Sequence, residues 1–338
     1  MNIAMNKEIF LTIGIPTFLR EKSLTELLMN ISVCIPYENC EVLIINNGPH
    51  LDISICMENL IKSGYVVTII NNKKNCGGQE NVIRIYENAL GEYVWFLGDD
   101  DRLYPDSISN IIESLIANPC DCLLFDSDAG DHPELNLKQG YYNSNTIFCG
   151  SIPLRKLMFA PLAIIRSESI TQALPYARLS LGCFAPQLLL ILLSNINSFF
   201  YLKRKTIMCE MANISIGQRL SILPVFLGIG YLQNINIEKP TKKMLGKLIR
   251  NEWRYYLRPR GVIISLIVAK LQGSPESVLK FSQAGFRNYP VWLAMVFPIP
   301  LIMIAILPKV IIKFIYDFAA KVLKKKTGYL SYYSSDRI

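Results

Sequence analysis

The first hundred residues alternate between short strand-like segments and longer helix-like ones. The strand-like segments are rich in β-branched or aromatic residues and end at Pro, Asn-Gly, Asn-Asn or Gly; they are Phe10–Ile15, Glu41–Ile45, Val66–Ile70 and Tyr93–Leu97. Helical spacing marks Ser23–Ile31 and Gln79–Ala89 between them. Strand, helix and strand repeated in this order predict an α/β fold, with a mostly parallel sheet flanked by helices.

An acidic cluster follows the fourth predicted strand, at the edge where parallel sheets bind their ligands. The strand passes through Gly98 into Asp99, Asp100 and Asp101. Adjacent carboxylates near a buried strand end repel one another unless a cation neutralises them. Mg²⁺ and Mn²⁺ take oxygen ligands of this kind and leave positions for substrate phosphates. The cluster therefore predicts a metal site or, with equal weight on these residues alone, a solvated turn that caps the next helix through Asp106.

A glycine turn precedes the second predicted helix. Gly77 and Gly78 come directly before that helix, and Asn81 and Arg84, three residues apart, share one of its faces. Glycines let backbone N–H groups approach a ligand, and a helix N-terminus favours an anion. The segment indicates a phosphate-binding turn, with a plain glycine cap as the alternative. It lacks the three spaced glycines of a dinucleotide-binding fingerprint.

The order of these segments resembles the family 2 glycosyltransferases of the GT-A fold, and is similar in particular to the abequosyltransferase-like branch that builds O-antigen and capsule. The matching segments are IPTFLRE, LIINNG, NCGGQENVIR and GEYVWFLGDDDRLYP, and together they cover roughly residues 8–106. The resemblance implies an inverting sugar transfer from a nucleotide-sugar donor. Two departures stand out, since Gly98 replaces the first Asp of the usual D-x-D-D motif, and Asn46 or Asn47 replaces a base-reading Asp.

The resemblance also assigns candidate site residues. Those for the nucleotide and the donor are Pro16, Thr17, Arg20, Asn46, Asn47, Asn81 and Arg84, together with the turn glycines Gly77 and Gly78. Asp99, Asp100 and Asp101 would hold Mn²⁺ or Mg²⁺ against the diphosphate. The region that should supply the catalytic base, Ser180–Gln187, contains no Asp, Glu or His. Asp126 and Asp128 are the remaining weak candidates, and a solvated loop is the alternative for both.

The net charge of +8 is unevenly distributed along the chain. Residues 1–238 carry 17 basic and 23 acidic side chains, whereas residues 239–338 carry 18 and 4. Long apolar runs separate the basic residues, which favours anionic membrane lipid over nucleic acid as the partner. Twenty-one uncharged residues lie between Arg287 and Lys309, but Pro298, Pro300 and Pro308 argue against a straight spanning helix.

The segment after these residues has charged side chains every three to four positions, with apolar residues between them: Lys309, Lys313, Asp317, Lys321 and Lys324. That spacing predicts a basic amphipathic helix lying in the lipid headgroups, with a core helix bearing a lysine stripe as the alternative. We therefore expect a catalytic domain at 1–215, a helical region at 216–289 and a membrane-associated tail at 290–338.

The expected function is transfer of a sugar to a polyprenyl-diphosphate-linked oligosaccharide at the cytoplasmic face of the bacterial inner membrane, by a peripheral or monotopic enzyme. The nine cysteines form no C-x-x-C pair, which is typical of reduced thiols in the cytoplasm. Two alternatives remain from the sequence. A nucleotidyltransferase would use a similar sheet, and an inactive GT-A scaffold would account for the missing base and for Gly98.

Overall fold

The computed structural model describes residues 8–34, 39–49, 51–127, 137–144, 159–179, 186–194 and 196–208, with a few isolated positions between them and within 243–248 and 306–314. The chain divides into two compact units, Met1–Glu210 with Ile235–Leu248, and Met211–Asn234 with Ile249–Ile338. Most of the predicted helical region 216–289 and of the predicted tail 290–338 lies outside the described residues.

The first unit is built on one sheet, to which nine described strands contribute. In chain order the strands are β1 (Leu11–Thr17), β2 (Cys40–Asn46), β3 (Val66–Asn71), β4 (Tyr93–Phe96), β5 (Arg102–Leu103), β6 (Cys122–Ser127), β7 (Gly140–Asn143), β8 (Ala163–Arg166) and β9 (Ser198–Met208). The described helices are α1 (Glu21–Val33), α2 (Ser54–Lys62), α3 (Gly78–Asn88), α4 (Ser107–Ala117), α5 (Ser167–Ile170), α6 (Leu174–Leu179) and α7 (Pro186–Leu193).

The parallel part of the sheet has β1 at its centre. β1 pairs in parallel with β2 on one side and with β4 on the other, and β3 extends the sheet beyond β2. The chain therefore moves outward from β1 to β3 and then returns to the opposite side of β1. The strand order reverses between β1 and β4, and a crevice at such a reversal is where α/β sheets bind ligands.

The remaining strands make the sheet mixed. The spatial order is β3-β2-β1-β4-β8-β6-β9-β5, with β7 paired to β9. β8 runs antiparallel to both β4 and β6, so β4 and β6 end at the same edge of the sheet. The predicted α/β fold with helices around a mostly parallel sheet is confirmed, although the sequence patterns did not identify β8 or β9.

The predicted strands and helices of the first hundred residues all form, with small shifts at their ends. The most consequential shift is in β1, which continues through Pro16 to Thr17 rather than ending at Ile15. This extension places Thr17 level with Asn46 at the end of β2. The polar residues that follow β1, β2 and β4 therefore begin at a common edge.

Helix α1 buries one apolar stripe against the sheet. Leu24, Leu27, Leu28 and Ile31 recur at the spacing of one helical face and are all fully buried. Helix α3 packs closer, because it lies directly on a glycine of β1. A Cβ atom added at Gly14 would sit 2.1 Å from Cγ2 of the buried Ile85. Gly14 therefore sets how closely α3, and the polar residues at its start, approach the sheet.

The close contact between α3 and β1 gives a stability prediction. We expect Gly14→Ala to lower the free energy of unfolding by about 1–3 kcal/mol, because the new methyl group overpacks the core. Ile85→Ala alone should cost about 2–5 kcal/mol through the cavity it leaves. The double variant should lose less unfolding free energy than the sum of the two single losses, as measured by urea denaturation. A Gly14→Ala protein as stable as the wild type would contradict this contact.

Candidate active site

The end of β1 and the turn after β4 meet where the strand order reverses. The Thr17 hydroxyl donates a hydrogen bond to Oδ2 of Asp99 at 2.8 Å. The Arg20 guanidinium donates through one nitrogen, Nη1, to Oδ1 of Asp99 at 3.0 Å and to Oδ2 of Asp100 at 3.1 Å. Two residues predicted to contact the nucleotide are thus joined directly to two residues of the predicted metal motif.

The three carboxylates occupy different environments. Asp99 is almost fully buried, and this desolvation raises its pKa, against the effects of the Arg20 cation and the Thr17 hydroxyl. Burial raises the pKa of Asp101 to about 7. The hydrogen bond from the Gly98 N–H stabilises the charged carboxylate, but by less than burial destabilises it. Asp100 lies between them, and its side chain remains 28% exposed. The cluster therefore concentrates acceptor oxygens around Arg20, and the Arg102 guanidinium contacts the backbone carbonyl of Asp101 at 2.7 Å.

The geometry of this turn explains why residue 98 is a glycine. Its backbone N–H donates to Oδ2 of Asp101 at 2.6 Å, which folds the acidic turn back on itself. A Cβ atom added at Gly98 would lie 3.0 Å from Oδ1 of Asp100 and 3.1 Å from Oδ2 of Asp101. An aspartate at this position would crowd both neighbouring carboxylates. The close packing of the turn therefore explains why glycine replaces the first aspartate of the D-x-D-D motif.

The carboxylates fit a metal ion shared with a ligand better than one enclosed by protein. Within the described residues, no group of three or more His, Cys, Asp or Glu side chains converges as a metal cage. Asp99 and Asp100 face Arg20, whereas Asp101 faces Gly98. Mg²⁺ is commonly held by one or two carboxylates together with substrate phosphates. The donor set at this turn meets that requirement, with the phosphate oxygens still to be supplied.

The predicted donor residues Asn46, Asn47 and Asn81 are buried, and their amide groups bond to other parts of the chain. The Asn46 amide donates to Pro49 O and to Oδ1 of Asn71, both at 2.8 Å. Asn81 donates to the carbonyl of Ile45 at 2.9 Å. Direct contact of these side chains with a donor stays a prediction, whereas their part in holding the ends of β2 and β3 is structural.

The glycine turn and Arg84 lie at the same edge. Gly77 adopts φ +86° directly before α3, a left-handed conformation that favours glycine, and space is open where a Cβ would stand at Gly77 or Gly78. Partial desolvation raises the pKa of the exposed Cys76 thiol, and the nearby Arg84 cation opposes that shift. Arg84 is half-buried and forms no salt bridge with any described residue. This cation is therefore available to an anion at the turn.

The weak base candidates divide between described and undescribed residues. Asp126 ends β6 at the same edge as Asp99, but it is buried and accepts a hydrogen bond from the Tyr201 hydroxyl. Asp128 lies outside the described residues, as does most of the segment Ser180–Gln187. The catalytic base stays unassigned.

Two residues at the site were not singled out from the sequence. Phe18 and Leu19, between Thr17 and Arg20, are 43% and 65% exposed despite being apolar. Leu19 has φ +55°, and within the described residues it alone among the non-glycine residues has a positive φ. Strained backbone of this kind often accompanies binding sites. Two consecutive apolar residues between the polar residues Thr17 and Arg20 were the sequence signal that could have identified them.

Comparisons with known proteins agree with this geometry. Residues 12–160 match the sequence model described as "Glycosyl transferase family 2". No curated protein matches the chain.

Solved structures show the same fold at low identity. S. aureus TarS 1-349 in complex with UDP-GlcNAc is similar at a TM-score of 0.55 and 16% identity, over 82% of this chain and 81% of that one. The same protein in complex with UDP gives 0.54 and 13%, over 86% and 91%. The mannosyltransferase PcManGT from Pyrobaculum calidifontis, in complex with GDP-Man and Mn²⁺, reaches 0.49 and 14%, over 88% and 86%. The TarS likenesses confirm the predicted GT-A fold.

The buried acidic turn gives a prediction for stability against pH. Asp101 has a pKa of about 7 in the folded protein against an ordinary value of 3.8, so folding takes up a proton between these pH values. The free energy of unfolding should therefore fall as pH rises from about 4 to about 7. Asp101→Asn removes this loss, so without added metal its Tm should exceed that of the wild type at pH 8, with the gain vanishing near pH 4.

Asp121→Asn is the matched control, because the Asp121 carboxylate lies away from this turn and accepts hydrogen bonds from the backbone of Asn197 and Ser198. Its Tm at pH 8 should not rise. Equal pH profiles for the wild type and Asp101→Asn would show that Asp101 is not a destabilising charge.

Proposed function

We propose that the chain is a glycosyltransferase that moves a sugar from a nucleotide-sugar to a lipid-linked oligosaccharide of bacterial O-antigen or capsule, because residues 12–160 match the sequence model of family 2 glycosyltransferases. The observation that carries the proposal is the junction of Thr17 and Arg20 with Asp99 where the strand order reverses. Ligands of α/β sheets bind at this position. The same match favours sugar transfer over the nucleotidyltransferase alternative.

The donor's diphosphate would lie between the acidic turn and the glycine turn. Arg84 supplies a cation on the α3 side, and the backbone N–H groups of Gly77 and Gly78 supply hydrogen-bond donors. On the β4 side, Asp100 and Asp101 would hold Mn²⁺ or Mg²⁺ together with the phosphates. When bound, the ion would neutralise negative charge on the departing diphosphate.

The remaining roles belong to the chain itself. Thr17 and Arg20 hold Asp99 in one orientation, so the acidic turn is positioned before the donor arrives. In an inverting transfer, an acceptor hydroxyl oxygen forms a bond to the anomeric carbon from the face opposite the diphosphate. The bond from that carbon to the diphosphate breaks, and the nucleoside diphosphate keeps the electron pair. The hydroxyl proton passes to a general base, for which Asp126 and Asp128 remain the candidates.

Donor hydrolysis tests the proposal. The purified full chain, incubated with UDP-, GDP-, CDP- and dTDP-sugars, should release free sugar from one of them in the presence of Mn²⁺. Asp100→Asn and Asp101→Asn should each reduce that rate by about 100-fold or more, because a lost metal ligand removes several kcal/mol of transition-state stabilisation.

Asp121→Asn should retain the wild-type rate, since this residue lies away from the acidic turn. Full activity in both acidic-turn variants, with an unchanged response to Mn²⁺, would refute the metal assignment. A wild-type protein that turns over none of these donors, and transfers none to an acceptor, would favour the inactive scaffold instead.

Attachment to an anionic membrane surface is the second part of the proposal. In the second unit, the described residues Ile306, Val310 and Phe314 are 75%, 79% and 72% exposed and helical. Val310 and Phe314 are four residues apart and share one helical face, whereas a bend at Leu307 separates them from Ile306. The described residues include no helix long and apolar enough to cross a membrane. An exposed apolar stripe beside lysines supports a helix lying in the headgroups, which would keep the enzyme near a polyprenyl-diphosphate-linked acceptor at the cytoplasmic face.

Vesicle binding tests the attachment. The full chain should bind vesicles of phosphatidylglycerol and phosphatidylcholine and should resist a wash in 1 M salt, because apolar burial is not screened. A chain ending at Arg287 should keep donor hydrolysis and lose both vesicle binding and transfer to a lipid-linked acceptor. Val310→Glu with Phe314→Glu should weaken vesicle binding by about tenfold or more.

The control for the charge change is Ile55→Glu with Leu90→Glu, two exposed apolar positions of the first unit. This variant should bind vesicles as the wild type does. Release of the wild type by salt would indicate a purely electrostatic contact. Unfolding of the chain cut at Arg287 would place the tail in the core.

A further inference from the structure

Asparagines dominate the edge of the sheet beside the glycine turn. Six of them come from three separate segments: the end of β2, the end of β3 with the loop after it, and the first turns of α3. Hydrogen bonds join the side chains of four of them, Asn47, Asn72, Asn75 and Asn81, into what we call the asparagine network. A separate hydrogen bond joins Asn46 to Asn71.

Asn47 is the centre of the network. Its Oδ1 accepts hydrogen bonds from Nδ2 of Asn72 and from the backbone N–H of Cys76, both at 2.9 Å. Its Nδ2 donates to Oδ1 of Asn75 at 2.8 Å. Asn47 itself is 3% exposed, whereas its partners Asn75 and Cys76 are exposed. One buried side chain thus ties the end of β2 to two positions of the loop before α3.

Asn75 passes the connection on to the glycine turn. Its Oδ1, which accepts from Asn47, also accepts from the backbone N–H of Gly77 at 2.8 Å. On the other side, Nδ2 of Asn72 donates to Oδ1 of Asn81 at 2.9 Å, inside the first turns of α3. The loop is therefore fastened at both of its ends, and the backbone direction at Gly77 depends on Asn47 and Asn75 together.

The chemistry of the network requires amides. Asn47 uses its side chain as acceptor and donor at the same time, whereas a carboxylate only accepts and would face Oδ1 of Asn75 unfavourably. Amides also leave this side of the site without negative charge. That matters because a diphosphate at the glycine turn would be repelled by carboxylates in the same place.

We propose that Asn47 and Asn75 are positioning residues for donor binding: they fix the loop from Asn72 to Gly77 so that the glycine turn and Arg84 face the diphosphate. The inference rests on the proposed nucleotide-sugar donor. It assigns to Asn47 and Asn75 an action through the loop rather than a contact with the nucleotide. Residues that act through one shared contact have coupled effects when mutated, whereas independent contacts add.

A double-mutant cycle on nucleotide affinity tests the proposal. Isothermal calorimetry with UDP, GDP, CDP and dTDP on the full chain first identifies the nucleotide that binds. Asn47→Ala and Asn75→Ala should each weaken its affinity by about tenfold, and the double variant should lose about the same tenfold rather than a hundredfold. Asn75→Asp should keep the Gly77 amide as slow to exchange as in the wild type, because a carboxylate can accept from both Asn47 and Gly77. Any affinity lost in this variant is then due to repulsion of the diphosphate by the new charge.

Hydrogen exchange supplies a readout that needs no ligand. In both alanine variants the amides of Cys76 and Gly77 should exchange faster than in the wild type. Asn47→Ala removes the acceptor of the Cys76 amide, and Asn75→Ala removes the acceptor of the Gly77 amide. In each variant the other amide loses the side chain that holds its acceptor in place. Asn75 is exposed, so Asn75→Ala should change Tm little, which separates loop positioning from general stability. Asn118→Ala is the matched control, since that side chain donates within α4, to the Ser114 carbonyl. It should alter neither affinity nor exchange at the loop.

The outcomes separate this inference from the proposed function. Additive losses in the double variant, or unchanged affinity in Asn75→Ala, would overturn the positioning role while leaving the donor assignment intact. Unchanged exchange at Cys76 and Gly77 would overturn it as well. A wild-type protein that binds none of the four nucleotides would refute the donor assignment and this inference with it.

Discussion

The carboxylate of Asp99 is buried at the end of a strand, and the groups that hold it come from the end of a different strand. A buried charge without a partner is costly, so the Thr17 hydroxyl and the Arg20 guanidinium are required where they are. Their positions fix the course of the chain after β1, including the left-handed conformation of Leu19. The parallel pairing of β1 with β4 makes the contact possible, because it brings both carboxyl ends to one edge.

Buried polar groups are stabilised by different partners on the two sides of this edge. Around β4, carboxylates are held by one arginine, one hydroxyl and one backbone N–H, and burial raises the pKa of Asp101 to about 7. Around β2 and β3, neutral amides satisfy one another. An ionic side able to share a cation thus faces a neutral side that ends in a glycine turn and Arg84. This asymmetry suits a ligand that carries both phosphates and a sugar.

Much of the first hundred residues could be read from the sequence. The alternation of apolar strands and amphipathic helices depends on local periodicity, so the parallel strands β1 to β4 and helices α1 and α3 were predicted within a few residues. β8 and β9 were not identified from sequence patterns: β8 lies beyond the regular alternation of strands and helices, and β9 carries three consecutive basic residues, Lys203 to Lys205. Their place in the sheet comes from pairing with β4 and β6, which are distant in sequence.

The sequence by itself determined the parallel strands β1 to β4, the edge at which the site lies and the residue types gathered there, because strand ends and motif order are local properties. Only the tertiary structure decided which of these residues touch. Arg20, predicted in the nucleotide pocket, binds the acidic turn instead of standing apart from it. Asn47, predicted beside the nucleotide, lies buried among other asparagines. Both outcomes have the same physical reason: a buried polar group bonds to the partner that the strand order brings within reach, and sequence spacing does not specify that partner.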